Sequence, residues 1–126
     1  MILLDTHAWI WAVADPRRLS SSVRRRIDAE PGIGIAAIST WEVAMLVAKG
    51  RLQLDRDVLT WLRDALALPK TTLLPLTPEV AVASTALVLH ADPSDRIIVA
   101  TALEHGVDLV TADVALRKAR IVRCVW

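Results

Sequence analysis

The chain has 126 residues, with 15 Lys+Arg against 14 Asp+Glu, a formal net charge of +1, and 54% hydrophobic residues. That balance excludes a disordered chain, which needs low hydrophobicity and high net charge, and it argues against a protein that grips nucleic acid by bulk charge alone. A single cysteine, Cys124, excludes an internal disulfide framework and a multi-cysteine zinc site, so the expected compartment is reducing, the cytoplasm.

The length predicts one domain spanning 1–126. Ile2-Leu3-Leu4 reads as a buried strand over 2–4. A helix follows over 6–14 and is stopped by Pro16. A second helix is expected over 20–30, with a serine cap and Pro31-Gly32 as its stop. A strand over 33–38 leads to a helix over 39–49 closed by Gly50. Another helix is expected over 55–68, ended by Pro69, then a strand over 72–76. Thr77 opens a helix running to about His90, and Asp92-Pro93 opens the next, which Gly106 ends. A strand over 108–111, a short helix over 114–119 and a strand over 121–125 complete the chain.

The strands are continuous apolar runs that alternate with helices. That pattern indicates an α/β three-layer sandwich, a central parallel sheet covered by helices on both faces. No apolar stretch reaches the ~20 residues needed to span a bilayer, so no membrane partner is expected. The first residues end in Ala12-Val13-Ala14, which imitates a signal-peptide cleavage site. They lack a basic segment, and Asp5 and His7 interrupt the apolar run, so export is not expected.

In parallel sheets the ligand site lies beyond the carboxyl ends of the strands. Asp5 directly follows the first strand, and Asp113 follows Leu109-Val110-Thr111. Glu42 lies one turn into the helix after the second strand, and Asp95 one turn into the helix opened by Asp92-Pro93. Each acid has an ordinary reading as well. Ser39-Thr40-Trp41-Glu42 matches a capping box. Asp92, Pro93 and Asp95 suit N-cap, N1 and N3, and Asp5 and Asp113 can each cap the helix that follows. Taken together, carboxylates crowded at one edge repel, and a divalent cation relieves the repulsion. Oxygen-only ligands suit Mg²⁺, with Mn²⁺ as a substitute.

These segments, with Leu3-Leu4-Asp5-Thr6-His7, Asp95-Arg96-Ile97-Ile98-Val99-Ala100-Thr101-Ala102 and Leu109-Val110-Thr111-Ala112-Asp113 in this order, resemble the PIN domain, and specifically VapC-type toxins of toxin–antitoxin pairs. The resemblance spans essentially the whole chain. It implies a metal-dependent endoribonuclease with Asp5, Glu42, Asp95 and Asp113 as catalytic and metal-site acids. Asp92 is an auxiliary acid whose first expected task is capping. The resemblance further implies a cognate antitoxin, an RNA substrate and a homodimer.

Thr6 and Thr111 are candidates to orient carboxylates, and Arg96 is a candidate phosphate contact or surface ion pair. The densest basic run, Arg24-Arg25-Arg26, flanks an RNA groove or is a solvated helix face. With no tyrosine or phenylalanine in the chain, base stacking falls to tryptophan, though such residues more often serve a core or interface. His7 stands at the correct strand end to approach the site. Cys124 is expected to be an inert core thiol. The helices over 6–14 and 39–49 carry more apolar surface than one core-facing stripe needs, enough for a partner's helix. The competing readings are another Mg-dependent phosphohydrolase and a non-catalytic α/β binding module whose acids only cap helices.

Overall fold

The apolar run at the start of the chain becomes the centre of the sheet. The computed structural model describes residues 1–89 and 91–126. Its elements in order are β1 (Ile2–Leu4), α1 (Thr6–Ala14), a 3-10 turn (Pro16–Arg18), α2 (Ser21–Ala29), β2 (Ile33–Ala36) and α3 (Ala37–Ala48). Then come α4 (Val58–Leu66), β3 (Thr71–Leu74), α5 (Pro78–Ala86), α6 (Pro93–His105), β4 (Asp108–Val110), α7 (Val114–Ala119) and β5 (Cys124–Val125). The strand order is β3-β2-β1-β4-β5, and every pairing is parallel. This is the expected sandwich.

Side chains alternate across the sheet, so β1 feeds two cores. Ile2 and Leu4 pack with Ile33, Ile35, Trp9, Val43 and Trp61 on one face. Leu3 packs with Leu74, Ile98, Val99, Leu109 and Leu116 on the other. Burying a large aliphatic side chain contributes about 1.5–3 kcal/mol. Trp9 and Trp61, both nearly inaccessible, meet with ring centroids 5.4 Å apart at 59°, a tilted contact that adds about 0.5–1.5 kcal/mol. Among the described residues no helix is long and apolar enough to cross a membrane.

Several boundaries move. The strand expected over 33–38 ends at Ala36, because α3 begins at Ala37 rather than at Ser39. The strand expected over 121–125 keeps only Cys124–Val125. The helix expected to run to about His90 stops at Ala86, where Leu87 turns extended at φ −68° and ψ 132°; His90 itself lies outside the described residues. The Arg96 guanidinium explains that stop. It donates to the carbonyls of Leu87 (2.9 Å), Thr85 (3.4 Å) and Leu89, which answers backbone acceptors that an ended helix leaves open. Arg96 is therefore neither a phosphate contact nor a surface ion pair here.

The topology locates the site. From β1 the chain builds outward through β2 and β3, then returns to add β4 and β5 on the other side. The order reverses between β1 and β4, and a crevice opens at that switch point beyond the strand ends. The Asp5 N–H donates to the Val110 carbonyl at 3.0 Å, which closes the two strand ends side by side.

Candidate functional site

Asp5, Thr6, His7, Trp11, Glu42, Asp92, Asp95, Ala112 and Asp113 line one depression at this switch point. The four acids expected from the sequence thus come together, and Asp92 joins them. Their local hydrogen bonds decide between capping and another role. Asp5 caps α1 by accepting from Ala8 N at 2.9 Å. Asp113 caps α7, with Oδ1 accepting from Ala115 N (2.8 Å) and Leu116 N (3.1 Å). For these two the ordinary reading holds, but it does not exhaust them. Both bonds to Asp113 use one oxygen, and Oδ2 has no hydrogen-bond partner among the described residues.

For Glu42 the capping reading fails. Because α3 starts at Ala37, Ser39 sits inside the helix, fully buried, and Ala36 is the N-cap with no side-chain bond. No capping box forms. Thr6 Oγ1 instead stands 2.9 Å from Ser39 Oγ and 2.7 Å from Glu42 Oε1. Its one proton favours the carboxylate, the shorter and charge-assisted contact. Ser39 supports Thr6, and Thr6 holds Glu42 at the depression. The sequence pattern that suggested a cap marked this relay instead. Asp92 holds the N-cap position of α6, but its side chain makes no capping bond.

Replacing Thr6 by Val keeps the shape and removes the relay. The expected result is a loss of about 10–100-fold in the turnover this site supports, the usual scale for a residue that orients a metal-site carboxylate. Stability should fall by only about 1–3 kcal/mol, from the stranded Ser39 hydroxyl. Steady-state kinetics beside thermal melts check both.

The electrostatics of the depression centre on Asp95. Burial and the charges of Glu42, Asp113, Asp5 and Asp92 together push its pKa from 3.8 up to about 7. Asp95 is the third residue of α6, where the helix dipole favours a charged acid. That effect is worth about 0.3–1 kcal/mol, under one pKa unit, and here it loses. Burial also raises Asp5, with Glu42 adding to the rise, while bonds from Thr111 and Ala8 and the His7 charge oppose it. Thr111 Oγ1 also accepts from Asp113 N at 3.0 Å, so this side chain ties Asp5 to Asp113.

Donor chemistry fits a hard divalent cation, because the depression offers five carboxylates and the Thr6 hydroxyl against one imidazole, that of His7, and no thiol among the described residues. Among the described residues, no group of three or more His, Cys, Asp or Glu side chains is arranged to hold an ion as it stands.

Other candidates fall elsewhere. Arg26 pairs with Glu30 (2.8 Å) and with Asp108 (3.0 Å), the first residue of β4, at the sheet edge opposite the acids. It does not flank the depression. His7 is exposed on its rim. Cys124 is half-buried, and burial pushes its thiol up, away from reactivity. Trp9 and Trp61 belong to the core, whereas Trp41 is 57% exposed on α3. The contact of Trp11 with Trp126, across 115 positions, is the feature that sequence reasoning missed, and no local signal announces it.

Comparison with known proteins agrees with this geometry. The PIN domain family matches residues 2–122. Ribonuclease VapC22 of Mycobacterium tuberculosis (strain ATCC 25618 / H37Rv) is 41% identical over 129 aligned positions, covering 99% of this chain and 98% of the relative. FitAcB from Neisseria gonorrhoeae superposes with a TM-score of 0.71 at 25% identity, covering 100% of this chain and 97% of that one. VapBC2 from Rickettsia felis, solved bound to a DNA fragment from its promoter, superposes with a TM-score of 0.74 at 16% identity, over 99% of this chain and 98% of that one. The ribonuclease match covers almost the whole chain well above the identity at which only a fold is shared, and the acids that cap α1 and α7 meet those of α3 and α6 where the sheet order reverses: the chain belongs to the PIN-domain family, among its VapC-type members.

Proposed function

We propose that the protein is a Mg²⁺-dependent endoribonuclease, the toxin of a toxin–antitoxin pair. The observation that carries the reading is Asp95, raised to about 7 by burial and by four other carboxylates around one depression. A rim built only for capping has no reason to accept that cost. The 41% identity to a ribonuclease of the VapC kind supports the same substrate class.

Asp5, Glu42, Asp95 and Asp113 would hold the cation, with Mn²⁺ as a substitute for Mg²⁺. Bound there, it neutralises the scissile phosphate and lowers the pKa of water. The chain's own residues supply position. Thr6 fixes Glu42, Thr111 fixes Asp5, and backbone N–H groups of α1 and α7 hold one oxygen each of Asp5 and Asp113. The hydroxyl that lines the depression among the described residues, that of Thr6, is engaged with Glu42, and we assign water as the nucleophile. Its oxygen bonds to phosphorus, the bond to the 3′ oxygen breaks, and that oxygen takes a proton. The products are a 5′-phosphate and a 3′-hydroxyl, without participation of the ribose 2′-OH.

A dehalogenase-type phosphohydrolase would carry a second acid where this chain has His7, and no lysine, which a phosphoacceptor receiver domain would need, lines the depression among the described residues. Lys70 is spent elsewhere, its Nζ donating to the carbonyls of Asp28 (3.1 Å) and Glu30 (2.9 Å). The exposed Trp41 on α3 suits the apolar face of an antitoxin helix. Similar chains are solved as VapBC complexes, and a homodimer is the expected assembly. We place the activity in the cytoplasm, where the lone Cys124 stays reduced.

The test incubates purified protein with structured and single-stranded RNA in Mg²⁺, in Mn²⁺ and in EDTA, beside Asp5→Asn. Cleavage to 5′-phosphate ends is expected with either metal and in neither of the other lanes. Identical RNA patterns in all lanes, or cyclic 2′,3′-phosphate ends formed in EDTA, would refute it.

A further inference from the structure

An aromatic strip leaves the acidic depression along α1. His7 and Trp11, four residues apart on one helix face, have ring centroids 5.9 Å apart at 56°. Trp11 meets Trp126 at 5.7 Å and 51°. The Arg18 guanidinium lies 4.8 Å from the Trp11 ring centroid. His7 and Trp11 both line the acid depression, so strip and acids share one rim. Trp126 stands next to that rim through its contact with Trp11, and the chain before it is paired to the strand that leads to Asp113, since Thr111 N donates to the Val125 carbonyl at 3.2 Å.

Trp11 also packs against the core, but core packing does not account for the outer members of the strip. Trp9 and Trp61, the pair that serves the core, are 2% and 3% exposed, whereas Trp126 is 38% exposed and His7 is open to solvent. Arg18 is also exposed and has no acid partner among the described residues, although Arg17 beside it pairs with Asp15. A part-exposed indole propped by a second indole, over which lies a guanidinium without an acid partner among the described residues, is chemistry suited to a nucleotide. The ring stacks on a base, and the guanidinium meets a phosphate. The acids repel a polyanion, so a substrate needs purchase just outside them.

We propose that Trp126, backed by Trp11, over whose ring the Arg18 guanidinium lies, is a stacking subsite for an unpaired nucleobase of single-stranded RNA, adjacent to the phosphate at the acids. The inference rests on the ribonuclease reading and adds to it where the strand is held. It makes Trp126 a binding residue that selects unstacked bases over duplex. The subsite tolerates any base, because every base offers a π face.

The test measures binding of a short single-stranded RNA, and of the same strand without its bases, to protein carrying Asp95→Asn. Trp126→Leu should weaken the intact strand about 5–100-fold, the scale of one lost base stack. It should leave the abasic strand unchanged, and Trp126→Phe should restore most of the loss. Circular dichroism of each variant confirms the fold. In the cleaving protein the same change should raise KM and leave kcat near its starting value. Equal binding of the intact strand by Trp126→Leu overturns the subsite, and so does failure of the intact strand to bind better than the abasic one. Unchanged RNA binding with altered self-association on sizing overturns it too, marking the strip as a protein interface. A base-dependent loss in a protein that cleaves no RNA keeps the subsite and sinks the nuclease reading alone.

Discussion

Asp95→Asn should abolish RNA cleavage, by at least about 100-fold, and make the metal-free protein more stable. On the metal-dependent reading proposed above, the loss follows from the several kcal/mol that a metal's charge contributes at a phosphoryl centre, once one of the carboxylates that would hold it becomes a neutral amide. The gain follows from the same side chain. Charged Asp95 is half-buried and faces Glu42, Asp113, Asp5 and Asp92, which is why its pKa lies near 7. Asparagine keeps the shape and removes the charge. With screening of a part-exposed group allowed for, the relief is on the order of 1–2 kcal/mol. In a chain of this size that is several degrees of Tm. Opposite signs in activity and stability are what separate a catalytic acid from a cap. A pure cap loses stability on substitution, typically about 1 kcal/mol, and leaves function intact. Thermal melts in EDTA at pH 8, beside cleavage assays in Mg²⁺, read both. A variant with a lower Tm and undiminished cleavage would show that Asp95 serves the end of α6 alone.

The acids were legible in the sequence because a parallel sheet sends all its strand ends to one edge. Asp5 and Asp113 could be placed there from the apolar runs before them, and Pro93 and Gly106 fixed the helix that carries Asp95. What was not legible depended on distant pairing. The Ser39–Glu42 spacing fits a cap as well as any sequence can. Yet β2 stays paired only to Ala36, opposite Leu74, and the helix starts there. That two-residue advance turns a cap serine into a buried support for Thr6. Arg96 looked like a charge awaiting a phosphate, but the end of α5 folds back to take it. Arg26 looked like part of a basic patch, but Asp108 lies 82 positions along the chain and 3.0 Å away. In each case local chemistry was read correctly and the partner came from elsewhere. The net charge of +1 hid a similar division, an acidic depression offset by arginines over the remaining surface.

The second large effect is a pH dependence of Mg²⁺ binding. A cation takes the charged carboxylate, so a proton on Asp95 competes with it. With that pKa raised to about 7, apparent Mg²⁺ affinity should fall roughly tenfold for each pH unit below neutrality. An ordinary aspartate near 3.8 would give no such slope above pH 5. The stability of the metal-free protein must run the other way. Between about pH 4 and pH 7 folded Asp95 keeps a proton that the unfolded chain has released. Unfolding then releases protons, so stability falls as pH rises through this window. Asp5, also raised, contributes in the same direction. The Asp95 contribution should therefore make the metal-free protein melt higher at pH 6 than at pH 8. Added Mg²⁺ should raise the Tm far more at pH 8, because there it meets carboxylates already charged. Asp95→Asn should flatten both trends. Melting curves at the two pH values, titrated with Mg²⁺, give the half-saturating concentration directly. Equal half-saturation at pH 6 and pH 8 would mean that Asp95 is not among the groups the cation binds.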